Sequence, residues 1–371
     1  MAHRAQGQPG ASATRRPLTR LLPANLPIPF SILVMTPMKN TALWLTEAEV
    51  AGHVPMNDAI DTLERNLIEI ADGAAFNVPK ALGSLGNGGA MHALASASPR
   101  LGVCGFKTWV HTPNGAKAVF ALFGTHDGTL LAMMEANTLG QIRTAAMTAL
   151  GTRWLAPANA DDLAIVGTGR QAIAQVYAIN TVRPLRRVRV WSRDAERRQA
   201  FADKVRADLP QADVTVASSL EAATDGASLV TIVTRATEPF FRADLLAPQA
   251  HLNAVGAILP ANAEFFPDVF ERARAVVVDD LDNARSGSRE LRERYGADAP
   301  QWPDVQTLHG VIKRGGLPAG GSGDITLFKA MGMGLSDLAI AALAYERAST
   351  TAGTSQTVPL TAAAPIRWAK G

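Results

Sequence analysis

LAIVGTGRQAIAQ, residues 163–175, decides the fold. An apolar run from Leu163 to Val166 leads into a glycine turn, and a helix-forming segment follows. Gly167 permits a tight turn, Gly169 lets the backbone approach a pyrophosphate, and Ala172 lets the helix pack close to its strand. The helix start, around Thr168, Arg170 and Gln171, offers free N–H groups and a positive dipole end to phosphate. G-x-G-x-x-A is a weak signal by itself, but here it joins a strand to a helix at the head of a βαβ series.

The same style continues downstream. VRVWS, VTVA, LVTIVT, HLNAVG and AVVVDD are apolar runs separated by polar, helix-like stretches. Continuous β-branched runs alternating with helices predict a parallel sheet covered on both faces. Residues 157–310 therefore read as a doubly wound, Rossmann-type α/β domain for a dinucleotide. The second strand ends in VWSRD, with Ser192 and Arg193 where an acid would accept the 2′-hydroxyl of NAD. A hydroxyl and a guanidinium suit a 2′-phosphate, so NADPH is the expected cofactor and NADH the alternative.

The first part of the chain has a different character. Thr46 and Glu49 form a capping-box pattern ahead of a short helix. Ile60, Leu63, Leu67 and Ile70 recur at helical spacing, and Gly73 ends that run. GVCGFKTWVH, KAVFALF and TLLAMMEA predict an antiparallel meander, and TLGQIRTAAMTALGTRWLA a helix. DITLFKAMGMGLSDLAIAALAYERA reads as one last helix capped by Asp324 and packed back on the first domain. The expected organisation is an α+β domain from 38–156 and 311–350, the Rossmann domain at 157–310, and a frayed tail at 351–371. Residues 1–37, rich in Gly, Pro, Ala and Arg, read as a disordered extension before a natural start at Met35 or Met38.

Composition narrows the function. The chain has 371 residues, 47% hydrophobic and 19% charged, enough for two buried cores. Net charge is +3, and Arg4, Arg15, Arg16 and Arg20 all lie in the extension, so no nucleic-acid partner is expected. The one cysteine, Cys104, excludes an intramolecular disulfide and a zinc-finger type of metal site, and suits a reducing cytoplasm. No run of eighteen apolar residues exists, so no transmembrane helix or membrane partner is expected.

MEANTLGQIRTAAMTALGTRWLA, LAIVGTGRQA, HLNAVGAILPANAEF and the final DITLF segment together resemble the ornithine cyclodeaminase/μ-crystallin family, over about 40–350 and in the same order. The resemblance implies a homodimer of subunits that each join a substrate and dimerisation domain to a Rossmann domain. It also implies chemistry on amino or imino acids: cyclodeaminases, L-alanine dehydrogenases, ketimine and iminosuccinate reductases, and the thyroid-hormone-binding μ-crystallin. By position, Arg143 in IRTAA matches the arginine that meets the substrate carboxylate. Lys107 in GFKTW matches the lysine near that carboxylate and the reacting nitrogen. Lys80 stands where the family has a carboxylate-binding arginine, and Met91 matches the methionine of a Met-Pro-Ala segment. Thr234, Val255 and Gly256 stand at strand ends that line the nicotinamide in the family, and Lys329 falls where the family approaches the cofactor.

Two departures carry information. Where the cyclodeaminases have an aspartate just past the glycine matching Gly256, this chain has Ala257 and Ile258. An aliphatic side chain has no proton to trade, which disfavours cyclodeamination. His92 replaces the family proline and is a candidate acid, since imidazole titrates near neutrality. The expected function is reduction of an imino acid, a cyclic ketimine such as Δ1-pyrroline-2-carboxylate or Δ1-piperideine-2-carboxylate, to L-proline or L-pipecolate. The alternatives are an L-alanine-type dehydrogenase, an iminosuccinate-type reductase and a non-enzymatic binder of NADPH and a hydrophobic acid.

Overall fold

The computed structural model describes residues 40–364, apart from 87, 301, 319 and 352–354. The expected extension at 1–37 lies outside the described residues, as does the end of the expected tail.

The chain opens with β1 (Thr41–Leu45), α1 (Glu47–His53) and α2 (Met56–Ala71). The capping box forms as expected: Glu49 N donates to Thr46 Oγ1 and Thr46 N to Glu49 Oε2. Ile60, Leu63 and Leu67 are buried, and Gly73 turns away at φ 72°. Next come β2 (Phe76–Ser84), β3 (Ala90–Ser98), β4 (Val103–Thr112), β5 (Gly115–Gly124) and β6 (Leu130–Glu135), then α3 (Asn137–Leu155).

The last three of those strands are the expected meander. β2 and β3 were not expected from the sequence. Their alanines, glycines and Pro79 have low strand propensity. β2 is accommodated at the sheet edge with an irregular register between Val78 and Ala81, where the extra residues fit.

The second half follows the α/β alternation. Its elements are β7 (Asp162–Val166), α4 (Arg170–Val182), β8 (Arg187–Trp191), α5 (Ala195–Asp208), β9 (Asp213–Val216), α6 (Leu220–Thr224), β10 (Leu229–Ile232) and β11 (His251–Ala254). Then follow α7 (Asp268–Arg272), β12 (Ala273–Val278), α8 (Leu281–Gly287), α9 (Arg289–Tyr295), β13 (Val305–Thr307) and α10 (Leu308–Arg314). The chain closes with β14 (Ile325–Lys329), α11 (Gly334–Thr350) and β15 (Gln356–Pro359).

The described residues form two sheets. The eight-stranded one runs β13-β12-β14-β11-β10-β7-β8-β9 and its pairings are parallel. Strand order reverses between β7 and β10, and such a switch point is where open α/β sheets bind ligands. The seven-stranded sheet runs β15-β1-β6-β5-β4-β3-β2.

Three expectations change at the C-terminal end. ITLFK is not the start of the last helix but the buried strand β14, inserted between β11 and β12 of the parallel sheet. Its residues are covered on both faces, as an inner parallel strand requires. Asp324 caps no helix and instead pairs with Arg272, Oδ2 to Nη2 at 2.6 Å. Part of the tail is ordered, because Thr357 and Val358 in β15 pair antiparallel with β1.

One core cluster gathers α2, α3 and α11 with side chains from both sheets. Gly151 brings α3 against β14, since a Cβ there would stand 2.7 Å from the Phe328 ring.

Candidate active site

On a strand, residues two apart share a face. Lys107 and Trp109 of β4 therefore point the same way, and their register partners Leu94 and His92 on β3 share that face. α11 packs across this face, with α3 beside it. Lys107 is 5% exposed and its Nζ donates to Asp337 Oδ1 at 2.9 Å. Arg143, on α3, brings Nε to 3.2 Å from the same oxygen. Asp337 lies in the first turn of α11 and is fully buried. Three distant elements thus place two cations on one carboxylate.

The cluster is not internally satisfied. Asp337 Oδ2 and Arg143 Nε are buried without an aligned hydrogen-bond partner among the described residues. The Arg143 guanidinium lies against Gly332, where a Cβ would stand 2.8 Å from Nη1. Gly332 adopts φ 83° in the turn between β14 and α11. That turn is held by the buried Asp279, which accepts from Met331 N at 2.8 Å and Gly332 N at 2.7 Å. Burial raises the Asp279 carboxyl to about 6, with the two N–H groups and Arg143 pulling the other way.

Burial pushes the Lys107 ammonium down to about 8, against the opposing pull of Asp337. Lys80 joins the cluster. Its Nζ stands 5.7 Å from the Trp109 ring centre and that of Lys107 5.0 Å. Burial and then Arg143 hold the Lys80 ammonium below its ordinary range. His92 stacks flat on Trp109, centroids 4.4 Å apart, and burial, Lys80 and His111 lower its pKa.

Lys80, His92, Lys107 and Arg143 are thus brought together. Met91 is not. It faces the other side of β3, opposite Val110, and is largely exposed.

The dinucleotide motif sits at the switch point. Gly167 has φ 116°, and a Cβ on it would come within 2.6 Å of Val233 O. Gly169 faces open space, and the N-terminus of α4 has no side-chain cap. Its free N–H groups form a cradle that fits a pyrophosphate. Thr168 Oγ1 donates to Ser192 Oγ at 3.1 Å, joining the ends of β7 and β8. Arg193 is exposed, while Asp194 is occupied capping α5 and pairing with Arg197 at 3.2 Å. Gln171 Nε2 donates to Gln141 O at 3.2 Å and Gln141 Nε2 to Arg170 O at 3.0 Å, tying this cradle to the helix that carries Arg143.

Thr234, Val255 and Gly256 follow the ends of β10 and β11. A residue missed in the sequence organises them. Glu264, fully buried, accepts at Oε1 from Thr234 N and Oγ1, and at Oε2 from Gly256 N and Ala257 N. Asp337 was also missed, although one acid in the apolar run GLSDLAIAAL was a usable signal.

The family model for the ornithine cyclodeaminase/mu-crystallin family matches residues 40–352. The chain belongs to that family. Among its relatives, the ketimine reductase mu-crystallin of Rattus norvegicus is 34% identical over 231 residues, 62% of this chain and 69% of the relative. The Delta(1)-pyrroline-2-carboxylate reductase of Bacillus cereus is 31% identical, over 60% of this chain and 68% of that protein. The Thermococcus litoralis Delta(1)-pyrroline-2-carboxylate reductase, solved with NADH and L-proline, shares the fold at TM-score 0.79 and 22% identity, covering 85% of this chain and all of the other.

Proposed function

We propose that this family member is an NAD(P)H-dependent reductase of imino acids, acting on a cyclic ketimine of the Δ1-pyrroline-2-carboxylate or Δ1-piperideine-2-carboxylate type. The observation that carries it is the convergence of Lys107 and Arg143 on the buried Asp337, with Lys80 alongside. Arg143 and Lys80 hold the substrate carboxylate, as a buried anion needs paired cations. The nicotinamide supplies a hydride to the imine carbon.

Lys107 supplies the proton. Its depressed pKa of about 8 leaves it charged at neutral pH yet ready to give the proton up to an imine nitrogen. Asp337 keeps the ammonium oriented and balances its charge. His92, its pKa lowered by burial and then by Lys80, stacks on Trp109 and forms a wall with it.

Relatives' activities support this reading, being named ketimine and pyrroline-2-carboxylate reductases. Ile258 puts no acid just beyond β11, which argues against cyclodeamination. Ser192 and Arg193, with Asp194 already engaged, favour NADPH over NADH. An iminosuccinate-type substrate is the second reading, favoured by Lys80 standing beside the two cations that share Asp337, a positive charge that a second substrate carboxylate would offset. The outer faces of β2, β3 and β4 expose Phe76, Val78, Met91, Phe106 and Val110, and a second copy of the chain covers them in the proposed homodimer.

The test is oxidation of NADPH and NADH with the five- and six-membered ketimines, pyruvate plus ammonia, and oxaloacetate plus ammonia. Ammonia release from ornithine runs in parallel. Fastest turnover on a cyclic ketimine with NADPH is expected. Binding of NADPH without turnover of any imine would refute the reductase, and proline from ornithine would refute the argument from Ile258.

A further inference from the structure

We propose that Glu264 is the positioning residue of the nicotinamide half of the site, clamping the ends of β10 and β11 at the spacing that seats the nicotinamide ring. The inference rests on the nicotinamide-dependent reading above.

The parallel ladder between these strands ends with Val255 N donating to Ile232 O at 2.9 Å. Beyond that bond the chains must open for a ligand, yet Thr234 and Gly256 stay side by side. A Cβ on Gly256 would lie 2.1 Å from Thr234 O and 2.3 Å from Glu264 Oε1. The Glu264 carboxylate takes the place of the missing ladder. It accepts from Thr234 N and Oγ1 at 2.8 Å each, Gly256 N at 2.8 Å and Ala257 N at 3.0 Å. All four are donors, so they match an ionised carboxylate, an acceptor at every position.

The clamp has its own support. Phe240 N and Phe241 N both donate to Glu264 O at 3.1 Å, and Glu264 N donates to Glu290 Oε1 at 3.0 Å. Glu290 receives Ser288 Oγ at 2.9 Å and Lys329 Nζ at 3.2 Å. Lys329 Nζ also donates to Ala257 O at 2.7 Å. Ala257 is therefore gripped at its N–H by Glu264 and at its carbonyl by Lys329. Both side chains are fully buried. Lys329 thus acts on the strand end through Ala257 rather than by reaching the cofactor.

The position of the clamp separates local from general effects. It lies on β10 and β11, across the switch point from the phosphate cradle of β7 and α4. Disturbing it changes the seat of the ring and leaves the ADP half in place.

The experiment uses the full chain and its Glu264→Gln variant. NADPH and NADH are titrated by nicotinamide fluorescence. ADP-ribose and 2′-phospho-ADP-ribose, which lack the ring, are titrated by calorimetry. The amide places an NH2 against backbone donors, so both reduced dinucleotides should bind about tenfold more weakly, with the emission of the bound ring shifted. The ring-free ligands should change by less than about twofold. Unchanged dinucleotide affinity, or equal weakening of the ring-free ligands, would overturn the proposal.

If Glu264→Gln does not fold, Thr234→Val decides; it removes the hydroxyl that donates to Glu264 and accepts from Ala236 N, and leaves the Thr234 N–H on the carboxylate. It should show the same split at about threefold, and no split overturns the proposal. Wild-type protein that binds none of the probes would instead remove the cofactor reading itself, before any variant is compared.

Discussion

Asp337 is where the charges of the candidate site meet. A buried Lys107 and a partly buried Arg143 without a counter-ion would carry a heavy desolvation cost, and one carboxylate on the first turn of α11 offsets it for both. Asp337 also holds Lys107's pKa up against burial. In Asp337→Asn that support disappears, so the Lys107 pKa falls further below 8. If protonated Lys107 donates to the imine, the rate declines as pH rises through its pKa. The alkaline limb of kcat/KM should then move from about pH 8 to lower pH, with activity at pH 7.5 down about tenfold or more. An unmoved limb in a folded variant would discard Lys107 as the titrating group.

Gly332 tests the neighbouring arginine. Alanine there is strained at φ 83° and drives a methyl towards Arg143 Nη1. Gly332→Ala should cost about 1 kcal/mol or more in denaturant unfolding and raise the KM for the imine, with NADPH affinity unchanged. An unaltered KM would show that Arg143 does not hold the substrate. Lys107 and Arg143 were legible because each sits in a short recognisable motif. Asp337 offers only the signal of a lone acid in an apolar run, and its partner is not legible, because its meeting with Lys107 spans 230 positions and leaves no local periodicity.

The parallel strands of the second half were readable because burial on both faces writes itself as unbroken apolar runs. β14 obeys the same rule but runs directly into the apolar α11 through Ala330–Met333, so strand and helix looked like one segment. β2 and β3 were hidden by small residues, and the sheet rather than propensity makes them strands.

Where α3 crosses the parallel sheet, a polar network lies inside the core. His251 Nε2 donates to Asn253 Oδ1 at 3.0 Å and Nδ1 faces Thr326 Oγ1 at 2.8 Å, while Asn253 Nδ2 donates to Thr152 Oγ1 of α3 at 3.0 Å. Burial pushes the His251 pKa down to about 4, and Arg183 and Arg274 push the same way. The unfolded chain binds a proton near pH 6.5 that the folded one refuses until about pH 4. Stability is therefore full above about pH 6.5 and falls as pH drops towards 4, by about 3 kcal/mol from this group. His251→Gln should flatten that part of the curve of unfolding free energy against pH. An equal slope in wild type and variant would assign the acid sensitivity elsewhere.

At the scale of the molecule, the same three strands serve two surfaces. The inner face of β2, β3 and β4 carries Lys80, His92, Lys107 and Trp109, and the outer face carries Phe76, Val78, Met91, Phe106 and Val110. Such a patch of large apolar side chains marks an interaction surface. None of the described helices is long and apolar enough to cross a membrane. The proposed homodimer buries it, and a stable interface of this kind removes roughly 1,000 Å² or more from water. Assembly then bears on catalysis. β2 is an edge strand with an irregular register beside Lys80; it pairs in the sheet with β3 alone, and Asn77 ties its start to Asp280 and Leu335. Phe106→Glu with Val110→Glu should shift sedimentation from dimer to monomer. It should also raise the KM for the imine severalfold through Lys80, while affinity for the reduced dinucleotide, proposed to sit on the other sheet, should stay as before. A wild-type chain that sediments as a monomer at micromolar concentration would refute the dimer. A monomeric variant with an unchanged KM would show that the Lys80 cluster needs no partner to hold its arrangement.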